Sequence, residues 1–161
     1  MVRRARVLDV PRIKDLIDHY AGPILLEKTL VNLYENLTEF WVAQIDDTVV
    51  GCGALHVLWK DLAEIRTLAT DPAFRGRGVG RRVCGELIDE AGRLGVARLF
   101  VLTFEVMFFS ALGFRRIGEL DLDDEALAEL RSSYDQGVAE FLELPYVKPN
   151  TLGNTRMLKT L

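Results

Sequence analysis

Cysteine and histidine are scarce in this chain, which has two residues of each type. Cys52 and Cys84 lie among apolar or small residues without C-x-x-C spacing, which favours buried free thiols over a disulfide or a metal pair. We therefore expect a reducing compartment. His19 and His56 are far apart and lack metal-ligand spacing, so we expect no bound metal.

Long apolar runs and an excess of positive charge are also missing. No stretch approaches the roughly 18 apolar residues of a membrane span, and the N-terminal arginines precede no apolar run. We expect neither a membrane span nor a signal peptide, and hence a cytoplasmic protein. With 20 Lys and Arg against 24 Asp and Glu, the net charge is −4, which argues against a nucleic-acid or anionic-membrane surface. Any anionic ligand must be held by local cations.

The composition that is present is that of an ordinary globular protein. The 161 residues are 49% hydrophobic and 27% charged, without an internal repeat. We expect residues 1–161 to form a single domain with a full core.

The segment Arg75-Gly76-Arg77-Gly78-Val79-Gly80 is the most distinctive stretch. Alternate glycines let a loop turn its backbone N–H groups inward, which suits an anion. The residues after it have apolar side chains at helical spacing, so the loop opens a helix whose first amides are unpaired. A diphosphate would fit there. A tight strand-to-helix connection is the alternative.

The remaining patterns predict a strand-rich chain. We expect strands over residues 2–7, 40–45, 48–57, 63–70, 99–103, 114–118 and 155–161. Helices are expected after a cap at Asp9, over 25–35, after the glycine loop, through Phe108 and Phe109 to Gly113, and over 121–137. A period of two over 63–70 places four side chains on one face: Glu64, Arg66, Leu68 and Thr70.

This order of elements resembles the GCN5-related N-acetyltransferase (GNAT) superfamily. The resemblance is carried by Arg75-x-x-Gly78-x-Gly80 between a strand and a helix, and by the later Phe-Phe-Ser-Ala-Leu-Gly-Phe at 108–114. It implies an α/β (α+β) GNAT fold, with a mixed central sheet of about six to seven strands and helices on both faces. It also implies acetyl-CoA as co-substrate, with the diphosphate on the loop amides and pantetheine along the preceding strand. The cofactor-binding residues carried over are Leu68, Ala69, Thr70, Arg75, Gly76, Arg77, Gly78, Val79, Gly80, Arg81 and Phe109.

A narrower resemblance is to bacterial N-acetylglutamate synthases. It rests on Gly22-x-Ile24-Leu25-Leu26-x-Lys28, on Arg-Leu-Phe-Val-Leu-Thr at 98–103, and on the ending at 147–158, which is similar to the short stand-alone actinobacterial type. It implies acetyl transfer to the α-amino group of L-glutamate, at the head of arginine biosynthesis, by direct attack in a ternary complex. The alternatives are another amine, such as glutamine, another amino acid or a protein N-terminus, and a non-catalytic regulator that binds acyl-CoA.

The chemistry of acetyl transfer requires a base, because an ammonium group cannot attack a thioester. Glu64 lies eleven positions before Arg75, the offset at which histone acetyltransferases of the superfamily carry their base glutamate. The alternative is that Glu64 lies on a solvated face or pairs with Arg66. A backbone N–H near Leu68 is the candidate oxyanion donor.

The general acid stays open. Many relatives carry a tyrosine where this chain has Phe109. Tyr34, Tyr134, Tyr146, a water, or release of the thiolate itself could serve instead, since a thiol of pKa about 8.5 is a tolerable leaving group.

Two carboxylates on the acceptor require at least two cations or several neutral donors. The resemblance carries over Lys28 and Arg156. Lys148, Asn150 and Asn154 lie near Arg156 in the sequence, and Arg66 shares a strand face with Glu64, so these four complete the candidate substrate-binding set. The expected partners are small-molecule substrates, without nucleic acid or membrane. Members of the superfamily often form homodimers, and the sequence leaves the oligomeric state of this chain open.

Overall fold

A mixed seven-stranded sheet organises the protein. The computed structural model describes residues 1–135, 138 and 154–161. The strands are β1 Val2–Arg4, β2 Phe40–Ile45, β3 Thr48–Trp59, β4 Leu62–Thr70, β5 Arg98–Thr103, β6 Arg115–Arg116 and β7 Thr155–Thr160. Their order is β1-β2-β3-β4-β5-β7-β6, and every neighbouring pair is antiparallel except β4 and β5. The fold class predicted from the sequence is confirmed.

Helices cover both faces of the sheet. Within the described ranges they are α1 Val10–Asp18, α2 Leu30–Glu35, α3 Val79–Arg93, α4 Val106–Ser110 and α5 Asp124–Leu130. The apolar cluster on one face contains Val83, Leu87 and Phe109 from α3 and α4. The opposite face carries two clusters, one built on α1 and α2, the other including Leu130 of α5. No helix in these described ranges is long and apolar enough to span a bilayer.

The N-terminal predictions need two corrections. β1 ends at Arg4, because the chain then enters a 3-10 turn at Val7–Asp9. Asp9 does not cap α1 with its side chain: its carboxylate accepts hydrogen bonds from the Arg6 backbone N–H and from the Arg3 guanidinium. Pro11 in the first turn and the buried apolar face of α1 agree with the pattern.

The predicted helix over residues 25–35 is too long. α2 begins at Leu30, because the Thr29 hydroxyl accepts a hydrogen bond from the Asn32 backbone N–H and so caps the helix there. Residues before Thr29 form turns and an isolated bridge between Ala21 and Leu25. Lys28 therefore lies on an irregular segment rather than in a helix.

The later elements are also shorter than predicted. The strand expected over 114–118 is reduced to Arg115–Arg116, and the helix expected over 121–137 runs from Asp124 to Leu130. Asp123 caps that helix by accepting a hydrogen bond from the Ala126 N–H. Part of the predicted helix, residues 136 and 137, lies outside the described residues.

Two earlier strands are longer than predicted. β3 and β4 each extend toward the turn that joins them, so that Trp59 belongs to β3.

A bulge in β4 changes which side chains share a face. Cys52 pairs with Ala69 and Ala54 with Arg66, so the single residue Gly53 on β3 faces two residues of β4, Thr67 and Leu68. Thr67 has φ of 58°, a rare conformation for a β-branched residue. The bulge turns Leu68 toward Val83 and Leu87 of α3, away from the face of Glu64 and Arg66. The expectation of four residues on one face is therefore wrong.

The parallel pair separates at its carboxyl end. β4 and β5 pair over Leu62–Glu64 and Arg98–Phe100. Beyond that point both strands continue, to Thr70 and to Thr103, without further pairing between them. A cavity lies in the gap between their free ends.

Candidate active site

A cavity of about 660 Å³ occupies the gap between β4 and β5. Its walls are the second half of β4, the loop before α3, the end of β5 and the helix α4. The predicted residues that line it are Arg66, Leu68, Ala69, Thr70, Arg75, Gly76, Gly78, Val79, Gly80, Arg81 and Phe109. The structure therefore brings together all but one of the residues assigned to the cofactor, Arg77 being the exception.

The glycine loop has the geometry of an anion cradle. Gly76 and Gly78 have φ of 77° and 75°, and a Cβ at either position would meet nothing within 4 Å. The first hydrogen bond of α3 runs from the Arg82 N–H to the Gly78 carbonyl, so the amides of Val79 and Gly80 precede any helical acceptor. These amides and the positive end of the helix dipole suit a phosphate.

Neighbouring groups fix this loop at both sides. Asp71 accepts a hydrogen bond from the Ala73 N–H at 2.9 Å and forms an ion pair with Arg12 of α1. The guanidinium of Arg75 lies 5.9 Å from the Tyr20 ring centroid, and Tyr20 donates a hydrogen bond of 2.6 Å to the Thr70 carbonyl. The loop is thereby tied to α1 and to the end of β4.

Glu64 is buried, with 4% of its surface exposed. Its Oε2 makes no hydrogen bond with any described residue and lies 3.9 Å from the Arg66 guanidinium. Burial raises the pKa of Glu64 to about 7, against the opposing effect of Arg66. Glu64 does not line the cavity itself; it lies two residues before Arg66, which does, and on the same face of β4.

Glu64 belongs to a charged cluster of six residues: Lys28, Glu39, His56, Glu64, Arg66 and Asp135. The cluster lies on the sheet face that α1, α2 and α5 cover, between the two apolar clusters of that face. Arg66 donates two hydrogen bonds to Asp135, at 2.6 and 3.0 Å, and a longer one to Glu39 at 3.4 Å. Burial disfavours the charge on Asp135, but its bonds to Arg66 hold the Asp135 pKa well below its ordinary value. Arg66 thus has its own carboxylate partners.

Lys28 is the other cation of the charged cluster. It is 8% exposed, and burial, followed by repulsion from Arg66, lowers its pKa. It does not line the cavity. Arg156 lies on β7 opposite Leu102, which places it on the face that carries Glu64.

The other substrate-binding predictions have mixed outcomes. Asn154 is half-buried just before β7, outside the cavity wall. Lys148 and Asn150 lie outside the described residues. Arg66 lines the cavity, although its guanidinium is already paired.

The aromatic helix α4 carries no tyrosine. Phe109 is 5% exposed and packs edge-on against Phe108 and Phe114, with centroid distances of 5.0 and 5.3 Å. Of the open candidates for general acid, Tyr34 and Tyr134 are exposed and line no part of the cavity. Tyr146 lies outside the described residues.

Sequence reasoning missed several residues at the site. Thr103 and Glu105 line the cavity at the end of β5, where the Glu105 N–H donates to the Thr103 hydroxyl at 2.8 Å. The hairpin of β3 and β4 contained a usable signal, since its register sets His56 opposite Glu64. No pattern pointed to Asp135, which follows α5 in an irregular segment.

Comparison with known proteins assigns the class. Residues 11–118 match the model of the acetyltransferase (GNAT) family. The chain therefore belongs to this family.

Two relatives narrow the class. The chain is 57% identical, over its full length and 94% of the relative, to the amino-acid acetyltransferase of Mycobacterium tuberculosis. A crystal structure of Rv2747 from the same organism, in complex with CoA and NLQ, superposes with a TM-score of 0.96 at 57% identity, covering 100% of this chain and 99% of the other. These similarities support an amino-acid N-acetyltransferase that binds acetyl-CoA.

A more distant structure extends the comparison. N-acetylglutamate synthase from Neisseria gonorrhoeae, complexed with coenzyme A and N-acetyl-glutamate, superposes with a TM-score of 0.79 at 27% identity. This chain is covered completely but spans 35% of that longer protein.

Proposed function

We propose that this protein transfers the acetyl group of acetyl-CoA to the α-amino group of L-glutamate, with Glu64 as the base. The observation that carries the proposal is the buried Glu64 carboxylate, which has a pKa of about 7 and an oxygen without a hydrogen-bond partner among the described residues. It lies at the point where β4 and β5 separate to form the cavity. A base with a pKa near the working pH is the most effective kind.

The residues of the cavity would have separate roles in acetyl transfer. The loop amides of Gly76 to Arg81 would hold the diphosphate of acetyl-CoA, and the edge from Leu68 to Thr70 would carry pantetheine. The Thr67–Leu68 bulge interrupts the regular direction of the backbone groups along β4. A backbone N–H there would donate a hydrogen bond to the developing oxyanion. Because Glu64 does not line the cavity, one water would connect its carboxylate to the acceptor nitrogen.

The two carboxylates of the acceptor need cations or several neutral donors to bind them. Lys28 and Arg156 are our candidates, on the resemblance that carried them over and on their position near Glu64 or on its face of the sheet. Arg66 is a weaker one because Asp135 and Glu39 already neutralise it. That pairing favours, as a second candidate acceptor, an amino acid with a neutral amide side chain such as glutamine.

The reaction would take place in the cytoplasm, as a step toward arginine. Cys52 and Cys84 are buried free thiols, and burial raises both pKa values to about 12. Such inert thiols are compatible with a reducing compartment.

The test is CoA release from acetyl-CoA against a panel of amino acids, with each product identified by mass. We expect L-glutamate to give the largest kcat/KM and its N-acetyl derivative as product. A larger kcat/KM for glutamine would replace the acceptor but keep the reaction. Thermal stabilisation by CoA without turnover on any amine, including peptide N-termini, would favour the non-catalytic regulator instead.

A further inference from the structure

His56 is the one imidazole of the charged cluster, and an imidazole can accept a proton at one ring nitrogen while it donates from the other. It is paired with Glu64 in the β3–β4 register, so the two side chains leave the same face of the sheet. Directly opposite residues have Cβ atoms about 4.5–5.5 Å apart, a separation that one side-chain contact or one water can bridge. His56 therefore adjoins the proposed base.

The other side of His56 is held by a carboxylate. Its Nδ1 lies 2.7 Å from Oε1 of Glu39, which precedes β2. When Nδ1–H donates to that carboxylate, Nε2 is left as the basic nitrogen. The pair of His56 and Glu39 thus resembles a histidine base whose ring is oriented by a carboxylate.

Exposure increases outward along these three side chains. The Glu64 side chain is 6% exposed, that of His56 18% and that of Glu39 22%. The three thus form a short series from the interior of the site to its surface.

The reaction requires a path by which a proton from the acceptor reaches solvent. The acceptor ammonium carries three protons and the product amide one, so each turnover removes two protons from nitrogen. One leaves on the CoA thiol, and the other must reach solvent. Glu64 is too buried to exchange its proton with bulk water directly.

We propose that His56, oriented by Glu39, is the proton relay that takes the proton from Glu64 and passes it to solvent. The relay rests on the proposed role of Glu64. The other charged groups of the cluster come from three segments: Glu64 and Arg66 of β4, Asp135 after α5, and Lys28 before α2. They supply both signs of charge, so that the imidazolium formed during the transfer is flanked by carboxylates.

The test replaces His56 with asparagine, whose amide N–H2 can still donate to Glu39 but cannot relay a proton. With dilute buffer, we expect kcat to fall on the order of tenfold, less than removal of a direct base would cause. KM for both substrates should change less than twofold. Added imidazole should restore most of the rate, because the site of the lost ring is partly exposed to solvent.

The matched control is His19→Asn, which removes the other histidine, at the exposed end of α1. Imidazole should not change its rate. The relay is overturned if His56→Asn keeps the wild-type kcat in dilute buffer, or if its lost rate is not restored by imidazole. If His56→Asn does not fold, His56→Gln undergoes the same imidazole titration.

Failure of the relay and failure of the proposed function give different results. A wild-type protein that acetylates no amino acid contradicts the function. A Glu64→Gln variant that loses turnover while His56→Asn retains it contradicts the relay alone.

Discussion

The ionisation of Glu64 is unfavourable in the folded protein, and this has a consequence for stability. Burial raises its pKa from the ordinary 4.5 to about 7, so the folded state binds more protons than the unfolded state between these values. Stability contributed by this group is therefore present below about pH 4.5 and is lost as pH rises through about 7. The magnitude is on the order of 3 kcal/mol when fully expressed.

Replacing Glu64 with glutamine should remove this pH dependence. The free energy of unfolding of Glu64→Gln, relative to wild type, should rise between pH 4.5 and pH 8, because the variant has no buried charge to form. Chemical denaturation at several pH values measures it. Glu129→Gln, at an exposed position of α5, is the control and should follow the wild-type curve. A parallel offset for Glu64→Gln across the whole range would mean that Glu64 has an ordinary pKa.

Arg156 provides a second prediction for a single residue. Arg156→Ala should raise the acceptor KM about tenfold or more, the effect of losing one charge-assisted hydrogen bond, and leave the acetyl-CoA KM nearly unchanged. Steady-state kinetics with each substrate varied in turn separates the two. Arg115→Ala, on the exposed strand β6, is the control. Equal changes in both KM values would remove Arg156 from the acceptor site.

Among the elements, the loop before α3 is the one proposed to bind the cofactor. At Gly78, with φ of 75°, an alanine is strained by roughly 1–2 kcal/mol even though nothing lies within 4 Å of its Cβ. We expect Gly78→Ala to raise the acetyl-CoA KM severalfold, because the strain would shift the amides that are proposed to hold the diphosphate.

Gly85→Ala is a matched control for the loop variant. Gly85 lies inside the same helix, α3, has no positive φ, and would place its Cβ in open space. Alanine there should stabilise the protein by about 0.5–1 kcal/mol and leave both KM values unchanged. If the two variants change the acetyl-CoA KM equally, the loop is not the cofactor cradle.

Elements with strong local signals were predictable, and those decided by distant contacts were not. The glycine loop, α3 and β5 follow from periodicity and turn chemistry within the segment itself. The bulge at Thr67 was not predictable, because it depends on the register with Gly53 across the sheet. The start of α2 depends on a cap at Thr29 that the apolar pattern of 25–35 concealed.

The residues of the candidate site were likewise predictable where the signal is local and not where distant segments meet. Glu64 and the proposed cofactor residues from Leu68 to Arg81 lie on consecutive stretches of one strand–loop–helix unit, so a motif could locate them. The charged cluster draws on five separate segments of the chain, and its ion pairs, such as Arg66 with Asp135, are long-range contacts. Its charge and its place on the same strand face as Glu64 suggested that Arg66 binds substrate, and only its partners reveal that it is already neutralised.

The cavity joins the two halves of the molecule at the separation of β4 from β5. β4 and α3 form one wall, β5 and α4 the other. A ligand there should stabilise the whole fold: at 100 times its Kd, CoA adds about 2.7 kcal/mol. For a chain of this size that corresponds to a rise in Tm of roughly 5–10 °C. A thermal scan with CoA measures this rise, and Gly78→Ala should reduce it; no shift at saturating CoA would contradict the assigned site.

The role of Glu64 is tested most directly by kcat at saturating acetyl-CoA and L-glutamate, measured from pH 5.5 to 9 for wild type and Glu64→Gln. We predict that wild-type kcat rises with an apparent pKa near 7, and that the variant loses about 10²-fold or more and this pH dependence with it. A variant whose kcat equals that of wild type across this range would contradict the assignment of Glu64 as the base.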